Sequence, residues 1–326
     1  MRPAFSVIFL TTLIGAGQGL FLALIAGQFY WVIGATPAQE AANFYALGSL
    51  LSLCLLSTGL FSSFFHLAHP ERAWRSAAAW RTSWLSREVI VLPLVMGLLV
   101  VYGGLHWLDW HPVLMTFGNM KDLDLSMAVG YLGAGAVIML FVCTAMIYAC
   151  MKFIQEWASP VTVLNFTLMG SASGFVLVTA YAGIMGSPLW DFYAGGALAL
   201  TVLALFGRLA SLLRNRMLKP MSSVQTAIGV RHRNLRQITR GFTAGAFNLK
   251  EFFHPGNPSL LPLLTGFYVT AAFAVPILLM AVGWQLQSTA LFGLAFVVQY
   301  AGLVAERWMF FAEARHPQNL YYQKVA

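Results

Sequence analysis

Residues 5–33 read FSVIFLTTLIGAGQGLFLALIAGQFYWVI. No Asp, Glu, Lys, Arg or His interrupts this run, and a helix of about 20 apolar residues already crosses the hydrocarbon core of a bilayer. The run is too long for the core of a secretory signal and offers no obvious cleavage site, so it is expected to stay as a first helix. Seven more runs follow, at Asn43–Phe65, Val89–Trp107, Met127–Met151, Val161–Ile184, Ala194–Leu213, Leu260–Val282 and Thr289–Phe310. Nothing between them is long or apolar enough to build a soluble core of its own. The expected fold is therefore all-α: a polytopic membrane protein of eight transmembrane helices. It reads as one integral membrane domain over residues 1–326, with helices one to four over about 5–151 and helices five to eight over about 161–310, arranged as two four-helix halves.

Composition agrees. Of 326 residues, 59% are hydrophobic and 9% charged, whereas a soluble domain carries about 25% charged residues. A net charge of +8 invites a nucleic-acid reading, but the placement of the charges argues against it. With an even helix count, both termini and the even-numbered loops share one face. All the lysines and arginines except Lys121 fall on that face: Arg2; Arg72, Arg75, Arg81 and Arg87; Lys152; Arg208 to Lys250 around the sixth loop; and Arg307, Arg315 and Lys324. Such a bias is the positive-inside signature, and it places both termini and the basic loops in the cytoplasm.

The loop from about 214 to 258 is long and basic, with Arg231, Arg233, Arg236, Arg240 and Lys250 interleaved by Phe242, Phe247, Phe252 and Phe253. Loops of this length are usually functional or disordered. A solvated linker held by anionic headgroups and a docking arm for a partner protein both fit. Gly15 and Gly19 in helix one, and Gly170 and Gly174 in helix five, have the small-xxx-small spacing of close helix packing, expected here within the bundle. Cys54, Cys143 and Cys150 fall inside the expected helices and form no CxxC. They read as small packing residues, and neither a disulfide nor metal ligation is expected from them.

No ionisable residue lies near the centre of any run, where one charge costs roughly 2.5–3.5 kcal/mol on insertion scales. Two expectations follow. The seven histidines, His66, His69, His106, His111, His232, His254 and His316, sit at helix ends or in loops. Haem held by facing histidines inside a bundle is therefore not expected. An ion-coupled transporter is disfavoured too, because such proteins use buried ionisable groups or broken helices at the midplane.

The densest chemistry lies between helices two and three: FFHLAHPERAWR over 64–75, then WLSREV over 84–89. Two readings stand side by side. In one, this is an interfacial loop with positive-inside arginines, headgroup-belt tryptophans, Ser86 as the cap of helix three and Glu88 as an acid in its first turn. In the other it is a quinone site at the membrane edge. A quinone ring needs hydrogen-bond donors at its two oxygens, and its redox cycle moves two protons, so an acid/base group is needed nearby. His66 is the candidate donor and Glu88 the candidate proton carrier, with Arg75 or Arg87 holding negative charge on the reduced ring. Gln18, a neutral polar group between Gly17 and Gly19, reads equally as a helix–helix hydrogen bond or as a ligand contact.

At these residues the chain resembles the membrane anchor subunits of the dimethyl sulfoxide reductase family. The resemblance is carried by Gly17-Gln18-Gly19 followed by LFLAL, by FFHL at 64–67 running into Pro70–Ala73, by LSRE at 85–88, by ERWMFF at 306–311 and by FFHP at 252–255. It covers the chain end to end in hydropathy and helix count, and it is most specific between helices two and three. It implies an eight-helix, haem-free, quinone-reactive anchor in the bacterial inner membrane. Such an anchor exchanges electrons, through ubiquinone or menaquinone, with an iron–sulfur subunit wired to a molybdopterin catalytic subunit. His66 and Glu88 match the family's quinol-site histidine and glutamate; Gln18, Arg72 and Arg307 match further positions. Relatives include anchors of sulfite-oxidising complexes. The long basic loop departs from shorter members. Two other functions compete: a permease for neutral substrates, and a purely structural anchor that tethers its partners while electrons pass elsewhere.

Overall fold

The computed structural model describes residues 4–37, 39, 43–116, 122–236 and 259–317. Eight helices in it are long and apolar enough to span a membrane. They are α1 (Phe5–Val32), α2 (Phe44–Ser63), α3 (Trp84–Trp107), α4 (Leu125–Ala149), α5 (Pro160–Ile184), α6 (Trp190–Met217), α8 (Leu260–Gln285) and α9 (Thr289–Ala312). A short helix, α7 (Val224–Ile228), lies in the long loop, closed by a Ser223–Thr226 capping box and by Gly229 at φ 72°. Two short strands, β1 (Val113–Met115) and β2 (Leu123–Asp124), pair antiparallel between α3 and α4.

The spans start where side chains satisfy the free N–H groups of the first turn. Ser83 accepts from Ser86 N at the head of α3, Asp124 from Met127 N at α4, and Ser159 from Val161 N at α5. The cap of α3 is thus Ser83, not Ser86, and the helix opens five residues before the apolar run. Its first turn, Trp84-Leu-Ser-Arg87, is interfacial in character and escapes a reading by hydropathy alone. Similarly, α6 continues through Arg214 and Arg216 to Met217, so part of the expected basic loop is helix. Arg214 is held there by the carbonyls of Gln155 and Ala158, at 3.0 and 3.2 Å.

Helices α1 and α5 form the centre of the bundle, and they join the first four spans to the last four. With no hydrophobic driving force between helices in lipid, packing and interhelical hydrogen bonds must hold them. The glycine pairs permit it. A Cβ on Gly174 would lie 2.0 Å from the carbonyl carbon of Gly19, and one on Gly19 would lie 2.1 Å from the oxygen of Gly170. Ser52 Oγ of α2 donates to the Gly17 carbonyl at 2.8 Å. The expected packing role of these glycines is what the structure contains.

In α8, residues Thr270–Ala274 form a π turn. Gly302 of α9 lies against it; a Cβ there would meet Ala272 N at 2.2 Å. Of the cysteines, only Cys143 is buried; Cys54 is exposed, and Cys150 is exposed and caps α4 from outside the helix. Two of the three are therefore not core packing residues. Arg2, Lys121, Arg240, Phe242, Phe247, Lys250, Phe252, Phe253, His254 and Lys324 lie outside the described residues.

Candidate functional site

The start of α1, the α2–α3 and α4–α5 connections, the α6–α8 loop and the end of α9 share one face, here called the basic face. Because α3 begins at Trp84, Glu88 falls in its second turn rather than its first, and so inside the span. Its Oε1 accepts from Thr144 Oγ1 of α4 at 2.5 Å. A carboxylate within the membrane, with one hydroxyl for a partner, is an expensive arrangement to keep.

The neighbouring arginines are employed differently. Arg87 donates from Nε to the Trp80 carbonyl at 2.9 Å and from Nη2 to the Arg81 carbonyl at 2.8 Å, and it lies 4.2 Å from the Trp84 ring. It ties down the end of a 3-10 helix, Pro70–Ala79, where the sequence suggests a plain loop. Arg75 on that helix is exposed and sits 5.6 Å from the Trp74 ring. His69 and Arg72 both face Glu71, at 3.0 and 3.8 Å. His66 ends a 3-10 turn that continues α2; it is exposed and has no hydrogen-bond partner among the described residues. The structure therefore brings His66, Arg75, Arg87 and Glu88 to one end of the bundle without joining His66 to Glu88 by a hydrogen bond.

Behind Thr144 lies a cavity of about 30 Å³ between α1, α4, α5 and α9, room for about two waters. Its walls are mostly apolar, with Phe141, Phe166 and Met169 among them, and Gln18, Thr144 and Arg307 add polar groups. Gln18 is 2% exposed and its Nε2 has no partner among the described residues, so the interhelical hydrogen bond open to that amide is not made there. Arg307 is 5% exposed, and its Nη1 also has no partner among the described residues.

Arg307 belongs to a buried ionic cluster. Its Nε donates to Glu306 Oε2 at 2.6 Å, and its guanidinium lies 4.0 Å from the Phe166 ring and 5.1 Å from the Phe310 ring. The other oxygen of Glu306, Oε1, is 3.1 Å from Arg208 Nε of α6, which also donates to Tyr268 OH at 3.2 Å. Just beyond α9, Glu313 stands 3.9 Å from Arg208 Nη2. Burial pushes its carboxyl above the usual range, and Arg208 opposes that rise. Among the described residues no group of three His, Cys, Asp or Glu is placed to hold a metal ion.

A polar constellation at one end of an eight-span bundle is common to many membrane proteins, so comparison with known chains decides the family. The family model of the DMSO reductase anchor subunit (DmsC) matches residues 1–313. The chain belongs to that family. One of the sulfite dehydrogenase subunits of Allochromatium vinosum is 56% identical to it over 326 residues, covering 100% of both chains. This DmsC-family chain is thus a multi-pass membrane anchor subunit of an oxidoreductase complex.

The sequence of this anchor points to Glu88 and Gln18, and the structure places both within spans. The sequence does not point to Thr144, which looks like any helical threonine until α3 is packed against α4. It also gave Glu306 and Arg208 no role. The available signal was the adjacent pair Glu306-Arg307 inside an apolar run: neighbouring positions on a helix point about 100° apart, so such a pair calls for a further polar partner on another helix.

Proposed function

We propose that this chain is the haem-free, quinone-reactive anchor of a sulfite-oxidising molybdopterin enzyme in the bacterial inner membrane. It passes electrons between an iron–sulfur subunit docked on the basic face and the quinone pool; the sulfur chemistry occurs on another chain. Sulfite and water yield sulfate, two electrons and two protons, and a quinone takes up two electrons and two protons to become a quinol. What this chain must supply is a place where ring oxygens are held and protonated. The observation that carries the reading is Glu88: an acid inside the span, bonded by Thr144, at the end of the bundle nearest the basic loops.

In this reading Glu88 gives and takes the proton, and the exposed imidazole of His66 donates to a ring oxygen from the rim. Arg75 offers a solvent-facing cation to the reduced ring. Arg87 has its Nε and Nη2 on the Trp80 and Arg81 carbonyls, so it serves the site by fixing the 3-10 helix that carries Arg75. The name of the Allochromatium relative supports sulfite as the electron source, and the family supports partners that hold the catalytic and electron-transfer centres.

Two assays on the whole complex test this. Glu88→Gln and His66→Ala should each lower quinone-dependent turnover by about 10²-fold, the scale of a lost acid/base group. Turnover with a soluble dye that bypasses the membrane should stay intact. Parallel loss in both assays would make these residues supports of assembly, and the chain a structural anchor. The face is tested separately: a cysteine at Gly229 should react with an impermeant reagent only from the cytoplasmic side. Reaction from the periplasmic side would reverse the topology.

A further inference from the structure

Arg307 holds a donor that no neighbour uses. Its Nε is committed to Glu306, its Nη2 lies 3.9 Å from Met169 Sδ, and two phenylalanine rings pack near the guanidinium. The fork is thereby immobilised, and Nη1 remains without a partner among the described residues. An unpaired buried donor costs free energy unless a ligand or water completes it. Gln18 presents a second unpaired donor, Nε2, on the wall of the same cavity.

Charge points to the kind of occupant. Arg208 and Arg307 share one fully buried carboxylate, Glu306, and Glu313 approaches Arg208 from the rim without touching Arg307. Of the residues that line the cavity Arg307 alone is charged, and its positive charge acts through apolar walls, where electrostatic interactions are strong. Donors and a fixed cation facing an apolar-walled pocket are suited to an oxygen atom that gains negative charge. At about 30 Å³ the space admits an oxygen-bearing edge and not a whole ring.

We propose that this cavity receives one oxygen of the quinone ring, with Arg307 Nη1 holding the negative charge that develops there and Gln18 Nε2 donating to the same end of the ligand. The inference rests on the quinone reading above and deepens it. Thr144 joins the two parts, because it lines the cavity and donates to Glu88. When two electrons arrive from the iron–sulfur partner, Arg307 holds the charged oxygen while Glu88, in its protonated form, gives its proton to the Thr144 oxygen and the Thr144 hydroxyl passes its own proton to that ring oxygen; the other ring oxygen takes its proton at the rim, where His66 stands. Glu88 is then reprotonated from the basic face. Reversal of the same steps serves quinol oxidation.

The test compares two ligands with the same tail: a hydroxynaphthoquinone, ionised near neutral pH, and its naphthoquinone parent, which stays neutral. Both are titrated against the intact complex. Arg307→Gln should weaken the ionised ligand by about tenfold or more, the scale of a lost hydrogen bond to a charged group, and the neutral ligand by much less. Gln18→Met should weaken both alike, and it carries the test if Arg307→Gln does not assemble. Equal losses for the two ligands in Arg307→Gln, or unchanged binding in Gln18→Met, would overturn the proposal. If the unaltered complex binds neither ligand, the quinone reading itself falls; if it binds both and the variants are silent, only the cavity assignment falls.

Discussion

The two ends of the bundle each contain a buried polar network, and they are built on opposite plans. Away from the basic face, Tyr102 donates to Gln28 Oε1 at 2.9 Å, Gln28 donates to Ser126 Oγ at 3.2 Å, and Ser126 donates to Asp124 Oδ1 at 2.7 Å. Asp124 also accepts from Met127 N at 2.8 Å and so caps α4. These contacts tie α1, α3 and α4 together, and the network ends beside the tilted rings of His106 and His111, 4.9 Å apart, whose Nε2 and Nδ1 respectively make no hydrogen bond among the described residues. From Tyr102 to Asp124 each member's partner is another member, and all the members but Asp124 are uncharged. Toward the basic face, three ionised groups are buried in the spans, and donors of Gln18 and Arg307 face a cavity without partners. A network of neutral groups that satisfy one another specifies a shape; a network with buried charges and free donors has, in addition, the chemistry a polar ligand needs. Location alone would not separate the two, since both sit within a few turns of a helix end.

The contrast can be broken at either end. The largest effect is expected for Glu306→Gln, which leaves Arg208 and Arg307 without the carboxylate between them. Breaking a buried pair in this way costs about 3–5 kcal/mol, read as a lower thermal midpoint of the detergent-solubilised complex or as loss of assembled anchor. Adding Arg208→Gln should recover part of that loss, because the two changes remove the same interaction. Strictly additive losses would show that the cluster is not a unit. The smallest effect is expected for Tyr102→Phe. One neutral hydrogen bond is worth about 0.5–1.5 kcal/mol, so the midpoint should fall slightly and quinone-dependent turnover should not change. Turnover falling as far in Tyr102→Phe as in Glu88→Gln would erase the distinction between the two ends.

The spans were legible because hydropathy is a property of each segment by itself, and the glycine contacts of α1 with α5 were legible because small residues at i and i+4 have few other uses in lipid. The start of α3 was not. Trp84-Leu-Ser-Arg87 has no long apolar stretch, and its cap, Ser83, is one of several serines nearby. The ionic cluster escaped for a different reason. Arg208 and Glu306 pair from helices far apart in sequence, and nothing local distinguishes a charge that finds a partner from one that snorkels to the surface. For the same reason the candidate site was only half visible. Glu88 stood out as an acid beside an apolar run, whereas Thr144 and the free edge of Arg307 acquire meaning only once four helices surround one cavity.

The π turn in α8 carries a consequence for length variation. The extra residue at Thr270–Ala274 sets the phase between the two halves of that helix. Each residue of an α-helix turns the chain by about 100°. Deleting a single residue there would leave a straighter helix of nearly the same hydropathy, still able to cross the bilayer. It would also swing Leu260–Val269, and Tyr268 with it, about a quarter-turn away from Arg208. The register of this anchor is thus set by counting as well as by composition, and an insertion or deletion that a hydropathy profile would pass unnoticed would uncouple the seventh span from the charges it covers.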